Sequence, residues 1–306
     1  MLQRIRGSLY IIDVLEVFIQ MIGIEFHIFN QNQKKKQSTV NQCIMSKSLT
    51  YTSYLKINEL LELQQCKSNP EEHDETLFII IHQVYELWFK QILHELGLLR
   101  SEMKKGHTWS SVKTMRRILT IMKTLVTQID ILETMTPLSF NNFRKFLDSS
   151  SGFESVQFRE LEILCGLRYS LMITAHKENL QAQTVIKKRM EEQTIWEAFC
   201  EYLTVRGYNI ETPERVNEHG LIFNTSDHNQ DVLVEVMKNN PVSAVLCELL
   251  VDFDEGLQEW RYRHVKMVER TIGTKKGTGG SDGVEYLKRT THKAIFPDLW
   301  EIRARL

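Results

Sequence analysis

Apolar residues recur at spacings of three and four along most of the chain after residue 68, which is the period of an amphipathic helix. In the longest such pattern, Asn69 is a candidate N-cap and Pro70 stands at the first helical position. Glu72 stands at the capping-box position, and Gly106 is a candidate stop. Further helical patterns cover 109–135, a short segment after Ser139, 155–166, 186–205, 228–239 and 242–272. No convincing alternating strand interrupts them, so the pattern predicts an all-α, bundle-like fold of long helices without a significant β-sheet.

The first 44 residues differ from the rest of the chain. Residues 8–29 are apolar enough to suggest a membrane span, but Asp13, Glu16 and Glu25 lie within them and would be costly in lipid. No small-residue cleavage site follows a short apolar core, which argues against a secretory signal. A polar, linker-like stretch precedes Met45, which reads like the natural start of a domain. We therefore expect an extension over 1–44 and a single helical domain over 45–306.

Composition narrows the classes of partner. With 42% hydrophobic and 25% charged residues, the 306-residue chain is ordinary for a globular protein, and its net charge of -1 gives no reason to expect nucleic acid or an acidic membrane as a partner. The 5 cysteines are odd in number and contain no Cys-x-x-Cys pair. This usage favours a reducing cytoplasm and excludes a heme attached covalently in the c-type way.

Several site motifs can be tested by spacing. The segment GTKKGTGGSDG, residues 273–283, matches neither the Walker A nor the dinucleotide-binding spacing, so it is interpreted as a linker or a lid. The paired Glu-x-x-His elements of di-iron bundles are absent, and so is His-Glu-x-x-His. These classes of nucleotide and metal site therefore drop out.

Two histidines lie within apolar, aromatic helix faces. His82 has Phe78 one turn before it, and His264 has Trp260 and Met267 on its own face. Taken alone, each histidine is more often a hydrogen-bonded core residue than a metal ligand. Arg144 would by default be a solvated helix arginine. Spacing alone therefore leaves both the structural and the functional reading open.

Four ordered segments, however, closely resemble the tryptophan 2,3-dioxygenase family, in its compact, bacterial-like form. They are YTSYL (51–55), HDETLFIIIHQVYELWFKQILHEL (73–96), ILETMTPLSFNNFRKFLDSSSGFESVQFR (131–159) and WRYRHVKMVERTIGTKKGTGGSDGVEYLK (260–288). The resemblance spans about residues 50–290 and is weak over 168–240. It implies a heme-dependent enzyme that uses O2 to open the indole pyrrole ring of L-tryptophan, giving N-formyl-L-kynurenine in the first step of the kynurenine pathway.

The resemblance also implies a cofactor site. One heme b per subunit is held non-covalently, with His264 as the axial ligand of the iron, a role that neutral imidazole commonly fills. Trp260 and Tyr286 line the heme pocket. Arg159 is a candidate partner for a heme propionate, although a solvated surface arginine is nearly as common at such a position.

The substrate residues follow from the same match. His82 is the catalytic residue beside the indole N–H, and Phe78 and Phe140 pack against the indole ring. Arg144 binds the carboxylate, since its planar guanidinium can engage both oxygens. Thr278, in the glycine-rich loop, meets the ammonium group, so the loop is interpreted as a lid that closes over the substrate.

Assembly and alternatives complete these expectations. The family forms homotetramers, as dimers of dimers, in which Tyr51, Tyr54 and Leu55 reach the site of a neighbouring subunit. Ser139, the pair 141–142 and the segment 149–151 depart from the family pattern, so a substituted indole amino acid stays open as the substrate. Two further alternatives are a non-catalytic heme protein of the same fold and a helical interaction protein without a cofactor.

Overall fold

The structure is a computed structural model, which describes residues 49–148, 150–168, 171–174, 176, 179–213, 215, 220–221, 224–275, 277, 284–288, 291 and 293–306. The chain divides into two units, Met1–Asn58 and Glu59–Leu306, and each is described by itself. The predicted extension over 1–44 lies outside the described residues, and the domain boundary at residue 45 stays a prediction.

The described residues confirm the all-α fold. The helices are α1 (Tyr51–Leu55), α2 (Ile57–Leu61), α3 (His73–Lys104), α4 (Thr108–Leu132), α5 (Pro137–Arg144), α6 (Val156–Leu164), α7 (Leu171–Thr174), α8 (Leu180–Glu191), α9 (Ile195–Val205), α10 (Asp227–Asn239), α11 (Pro241–Ile272), α12 (Val284–Lys288) and α13 (Pro297–Glu301). Short 3-10 turns cover Gly152–Glu154 and Ile302–Arg305. The described strands, β1 (Leu167–Arg168) and β2 (Gly220–Leu221), form one short antiparallel pair.

Helix α3 begins later than its sequence pattern predicts. Asn69 and Pro70 precede the helix, and Glu72 is its N-cap. The Glu75 carboxylate accepts hydrogen bonds from the backbone N–H groups of Lys67 (2.7 Å) and Ser68 (2.9 Å), and the Ser68 hydroxyl oxygen accepts the Glu72 N–H at 2.9 Å. These bonds fold the preceding residues into a loop against the start of the helix, so they cannot continue it.

The predicted single helix over 186–205 is wrong. The structure has α8 and α9 instead, with a break before Thr194. The Thr194 hydroxyl oxygen accepts the Glu197 N–H, and a Glu197 carboxylate oxygen accepts the Thr194 N–H at 2.7 Å. This capping box starts a new helix where the apolar spacing suggested a continuous one.

Three long helices, α3, α4 and α11, build the core of the second unit. The hydroxyl of Tyr202 on α9 lies between those of Thr108 on α4 (2.7 Å) and Ser243 on α11 (3.0 Å), and all three residues are buried. Asp254 on α11, also buried, accepts hydrogen bonds from the backbone N–H of Ile295 and the indole N–H of Trp300. Such bonds satisfy polar groups in the interior and fix α11 against its neighbours.

None of the described helices combines sufficient length with sufficient hydropathy to cross a bilayer.

Candidate functional site

A cavity of about 280 Å³ lies among α3, α5, α6 and α11. It brings together seven of the predicted site residues: Phe78, His82, Phe140, Arg144, Arg159, Trp260 and His264. Below, the α3–α5 wall denotes Phe78, His82, Phe140 and Arg144. The α6–α11 wall denotes Arg159, Glu162, Trp260, Arg261 and His264.

The imidazole of His82 is held by the backbone of its own helix. Its Nδ1 lies 2.7 Å from the carbonyl oxygen of Phe78. A carbonyl oxygen can only accept, so Nδ1 carries the proton, and in the neutral ring Nε2 is left as an acceptor. Burial lowers the pKa of His82, and the Phe78 carbonyl and the charge of Glu86 oppose that effect. The ring is packed among protein atoms, yet it is open to the cavity, so its Nε2 can accept a hydrogen bond from a ligand there.

Aromatic rings form the apolar part of the α3–α5 wall. The Phe78 ring centroid lies 4.1 Å from that of His82 and 5.8 Å from that of Phe140. Phe143, which is fully buried, meets Phe140 edge to face at 5.4 Å. Thr136 caps α5 by accepting the Ser139 N–H at 3.1 Å, and Arg144 is the last residue of the helix. The short helix therefore presents the Phe140 ring to the cavity, with Arg144 at its end.

His264 has a different environment. Its imidazole stacks on the indole of Trp260, with centroids 5.2 Å apart and planes 3° from parallel. Burial, together with the smaller effects of positive charge on His82 and Arg159, lowers the pKa of His264 to about 4. The ring is therefore neutral near pH 7. Neither ring nitrogen makes a hydrogen bond to a residue that the structure describes.

The charges of the α6–α11 wall form a buried network. Glu162 lies between Arg159 on its own helix and Arg261 on α11, with the Arg261 Nη2 at 3.2 Å from a Glu162 oxygen. The Arg159 guanidinium also covers the Phe153 ring at 4.6 Å from its centroid. Among the described residues, Arg159 and Arg261 therefore share the Glu162 carboxylate at the edge of the cavity.

Two buried donors on the same wall lack acceptors among the described residues. They are the indole N–H of Trp260 and the Nε–H of Arg159. The Trp260 N–H is near the Tyr85 hydroxyl, but it makes no hydrogen bond of regular geometry to it. Buried donors are normally satisfied, so their presence beside the cavity points to a ligand with acceptor oxygens. An apolar cavity, a neutral imidazole and two buried donors, none of the three groups having a hydrogen-bond partner among the described residues, together fit a heme with its propionates.

The remaining predicted site residues are not among the described residues that line the cavity. Thr278 and the side chain of Tyr286 lie outside the described residues. Gly273 ends α11 with a φ of 62°, a conformation that favours glycine, and Gly277 lines the cavity. Tyr51, Tyr54 and Leu55 belong to the other unit, where Tyr51 and Tyr54 are highly exposed.

Sequence reasoning missed the roles of Glu162 and Arg261. A signal was available, because Arg159 and Glu162 stand three apart in a predicted helix, and opposite charges at this spacing are neighbours on the helix surface. Arg261 follows Trp260 directly, and nothing in its own segment reveals the carboxylate, which is 99 residues away in sequence. Long-range pairs of this kind need the fold to become visible.

Comparison with known proteins extends the four matching segments to most of the chain. The family model described as tryptophan 2,3-dioxygenase matches residues 34–203 and 223–306, so it also covers much of the region whose resemblance was weak. A tryptophan 2,3-dioxygenase of Herpetosiphon aurantiacus is 52% identical, with 86% of this chain and 100% of that protein covered. One of Anaeromyxobacter sp. (strain K) is 45% identical over 85% of this chain and 97% of that protein, and one of Caulobacter vibrioides is 37% identical over 86% and 100%. The chain belongs to the tryptophan 2,3-dioxygenase family.

Proposed function

We propose that this chain is a heme-dependent dioxygenase that opens the indole pyrrole ring of L-tryptophan with O2 to give N-formyl-L-kynurenine, the first step of the kynurenine pathway. One observation carries the proposal: two neutral imidazoles, on α3 and α11, line a single cavity together with an arginine and two phenylalanines. One imidazole has its Nδ1 hydrogen-bonded, whereas the other makes no hydrogen bond to a described residue. This asymmetry suits one substrate-binding and one iron-binding histidine.

The α6–α11 wall would hold the cofactor. His264 would bind the iron through a ring nitrogen, and Trp260, stacked on it, would limit rotation of the imidazole. The unsatisfied donors of Trp260 and Arg159 would meet the propionates. When bound, the heme supplies an iron that can activate O2.

The α3–α5 wall would hold the substrate. The indole would pack against Phe78 and Phe140, and its N–H would donate to Nε2 of His82, the nitrogen that the Phe78 carbonyl leaves unprotonated. The same nitrogen can hold the indole proton if the proton leaves the ring. Arg144 would bind the carboxylate, so the amino-acid end and the indole end are fixed separately.

The glycine-rich loop and the N-terminal segment would complete the site. We expect Thr278 to bind the ammonium group, with the loop excluding water when it closes. Gly277, which lines the cavity, supports this position for the loop. We also expect a homotetramer in which Tyr51, Tyr54 and Leu55 reach a neighbouring subunit; the exposure of both tyrosines, 76% and 72%, is typical of side chains that contact a partner. A cytoplasmic location stays a prediction from cysteine usage.

The test is mass spectrometry of the product formed from L-tryptophan and ¹⁸O₂ by the reduced, heme-loaded protein. We expect a product with both labelled atoms, absent from a His264→Ala control. Heme binding without any product would favour the non-catalytic heme protein. Product from a substituted tryptophan but not from L-tryptophan would favour a dioxygenase for a substituted indole amino acid. Failure to bind heme would contradict the proposal.

A further inference from the structure

Glu86 lines the cavity on the same helix face as His82, one turn further along α3. Its carboxylate makes no ion pair with a residue that the structure describes. The other carboxylate of the cavity, Glu162, is shared by two arginines. Glu86 is therefore a cavity carboxylate whose negative charge is not neutralised by a cation in direct contact.

The position of the Glu86 carboxylate is fixed by a neutral side chain. The amide nitrogen of Gln157 on α6 donates to the Glu86 carboxylate at 2.8 Å and to the Glu86 backbone carbonyl at 2.9 Å. One amide that bonds both groups holds the side chain against its own helix. Because the clamp is uncharged, it orients the carboxylate and leaves its charge intact.

The charged and titratable groups that line the cavity around His82 lie on four helices in the described part of the chain. They are Tyr85 and Glu86 on α3, Arg144 on α5, Arg159 and Glu162 on α6, and Arg261 and His264 on α11. The cations would all disfavour a proton on His82, and Glu162 is engaged by two of them. Burial lowers the pKa of His82, whereas the Phe78 carbonyl and Glu86 raise it. Glu86 is the negative group placed to stabilise a proton on this imidazole.

We infer that Glu86, held by Gln157, is a positioning residue that sets the proton affinity of His82 and thereby the lower pH limit of tryptophan binding. The inference rests on the proposed role of His82 as acceptor of the indole N–H. Only the neutral ring has a free Nε2, so binding is present above the pKa of His82 and is lost as the pH falls through it. Removing the Glu86 charge lowers that pKa and moves the loss to more acidic solution.

The test is the dissociation constant of L-tryptophan for the heme-loaded protein, measured spectroscopically between about pH 5 and 7, where neither charged group of tryptophan titrates. The acid limb is the part of this pH profile in which binding is lost as the pH falls. In Glu86→Gln, we expect the acid limb to move to a lower pH by about one unit. At the new midpoint, the variant would then bind about fivefold more tightly than the native protein. Gln157→Leu, which keeps the charge but removes the clamp, should shift the limb in the same direction by less.

Two controls separate this inference from the proposed function. Glu102→Gln removes a carboxylate near the end of the same helix, outside the cavity, and should leave the limb in place. His82→Ala should abolish the limb. If His82→Ala abolishes it but neither Glu86→Gln nor Gln157→Leu moves it, the inference fails and the role of His82 stands. If the native protein shows no such limb, or His82→Ala retains it, the inference and the role of His82 as acceptor both fail. If L-tryptophan does not bind at all, the proposed function fails.

Discussion

On the α3–α5 wall, polar groups are oriented by local geometry, whereas on the α6–α11 wall they depend on contacts between distant parts of the chain. His82 is fixed by the carbonyl one turn before it, and Arg144 ends a short capped helix. Glu162, in contrast, joins Arg159 to Arg261, 99 residues further along the chain. We therefore expect changes on the first wall to alter substrate binding, and changes on the second to alter cofactor binding and stability.

The largest effect is expected from His264→Ala. If His264 binds the iron as proposed, the change removes that ligand, and the described residues of the cavity offer no second unpartnered imidazole on that wall. Heme affinity should fall by more than about 100-fold, since even partners of a metal ligand contribute factors of 10 to 100. The measurement is the heme absorption band after reconstitution. His94→Ala, an exposed histidine of α3, is the matched control, and a normal band in His264→Ala would contradict the assignment.

A smaller but still large effect is expected from Glu162→Gln. The change keeps the side-chain shape but leaves two buried guanidinium groups without their shared carboxylate. Removing one partner of a buried pair typically costs about 3–5 kcal/mol of folding free energy. Urea unfolding of the heme-free protein measures the loss, with Glu259→Gln on the exposed face of α11 as control. A loss below about 1 kcal/mol would show that the network is not the support of this wall.

His264 and Glu162 differ in how much of their role can be predicted from the sequence. His264 could be assigned from its segment, because a helix face with Trp260 and Met267 and a family motif around it are both local features. The pairing of Glu162 with Arg261 could not be assigned, since it depends on α6 and α11 meeting in space. Local sequence signals identify candidate site residues, whereas tertiary packing determines which residues they contact.

The helix boundaries follow the same division. The sequence pattern predicted the long helices α3, α4 and α11, but it placed the start of α3 at Pro70, with Asn69 as the N-cap, and it merged α8 with α9. In both cases a backbone N–H donates to a side-chain oxygen, that of Glu75 or that of Thr194, and this bond overrides the apolar spacing. The capping box of Thr194 and Glu197 was readable in the sequence, whereas the backward reach of Glu75 to Ser68 was not.

Arg144→Met tests whether the α3–α5 wall acts on the substrate alone. Loss of a charge-assisted pair with the carboxylate should raise the KM for tryptophan by about 10- to 100-fold, with the heme band unchanged. Arg144→Lys keeps the charge but not the planar guanidinium, so its KM for tryptophan should lie between those of the native protein and Arg144→Met. Tryptamine, which lacks the carboxylate, is the matched probe, because its binding should not respond to either change. An equal loss for both ligands would mean that Arg144 supports the cavity and does not bind the carboxylate.

The smallest effect is expected at Tyr85, where the two walls meet. Its hydroxyl donates to the Leu125 carbonyl at 2.6 Å, and its ring lies 6.3 Å from that of Trp260. Tyr85→Phe removes one hydrogen bond, so folding free energy should fall by about 1 kcal/mol, as in the control Tyr208→Phe, whose hydroxyl accepts from Asn240. If the walls are independent, tryptophan affinity stays within about twofold of the native value, because the hydroxyl bonds to the carbonyl of Leu125, which is not among the described residues that line the cavity. A tenfold loss of tryptophan affinity, without loss of heme, would show instead that Tyr85 transmits the position of the α6–α11 wall to His82, and the division into two walls would have to be abandoned.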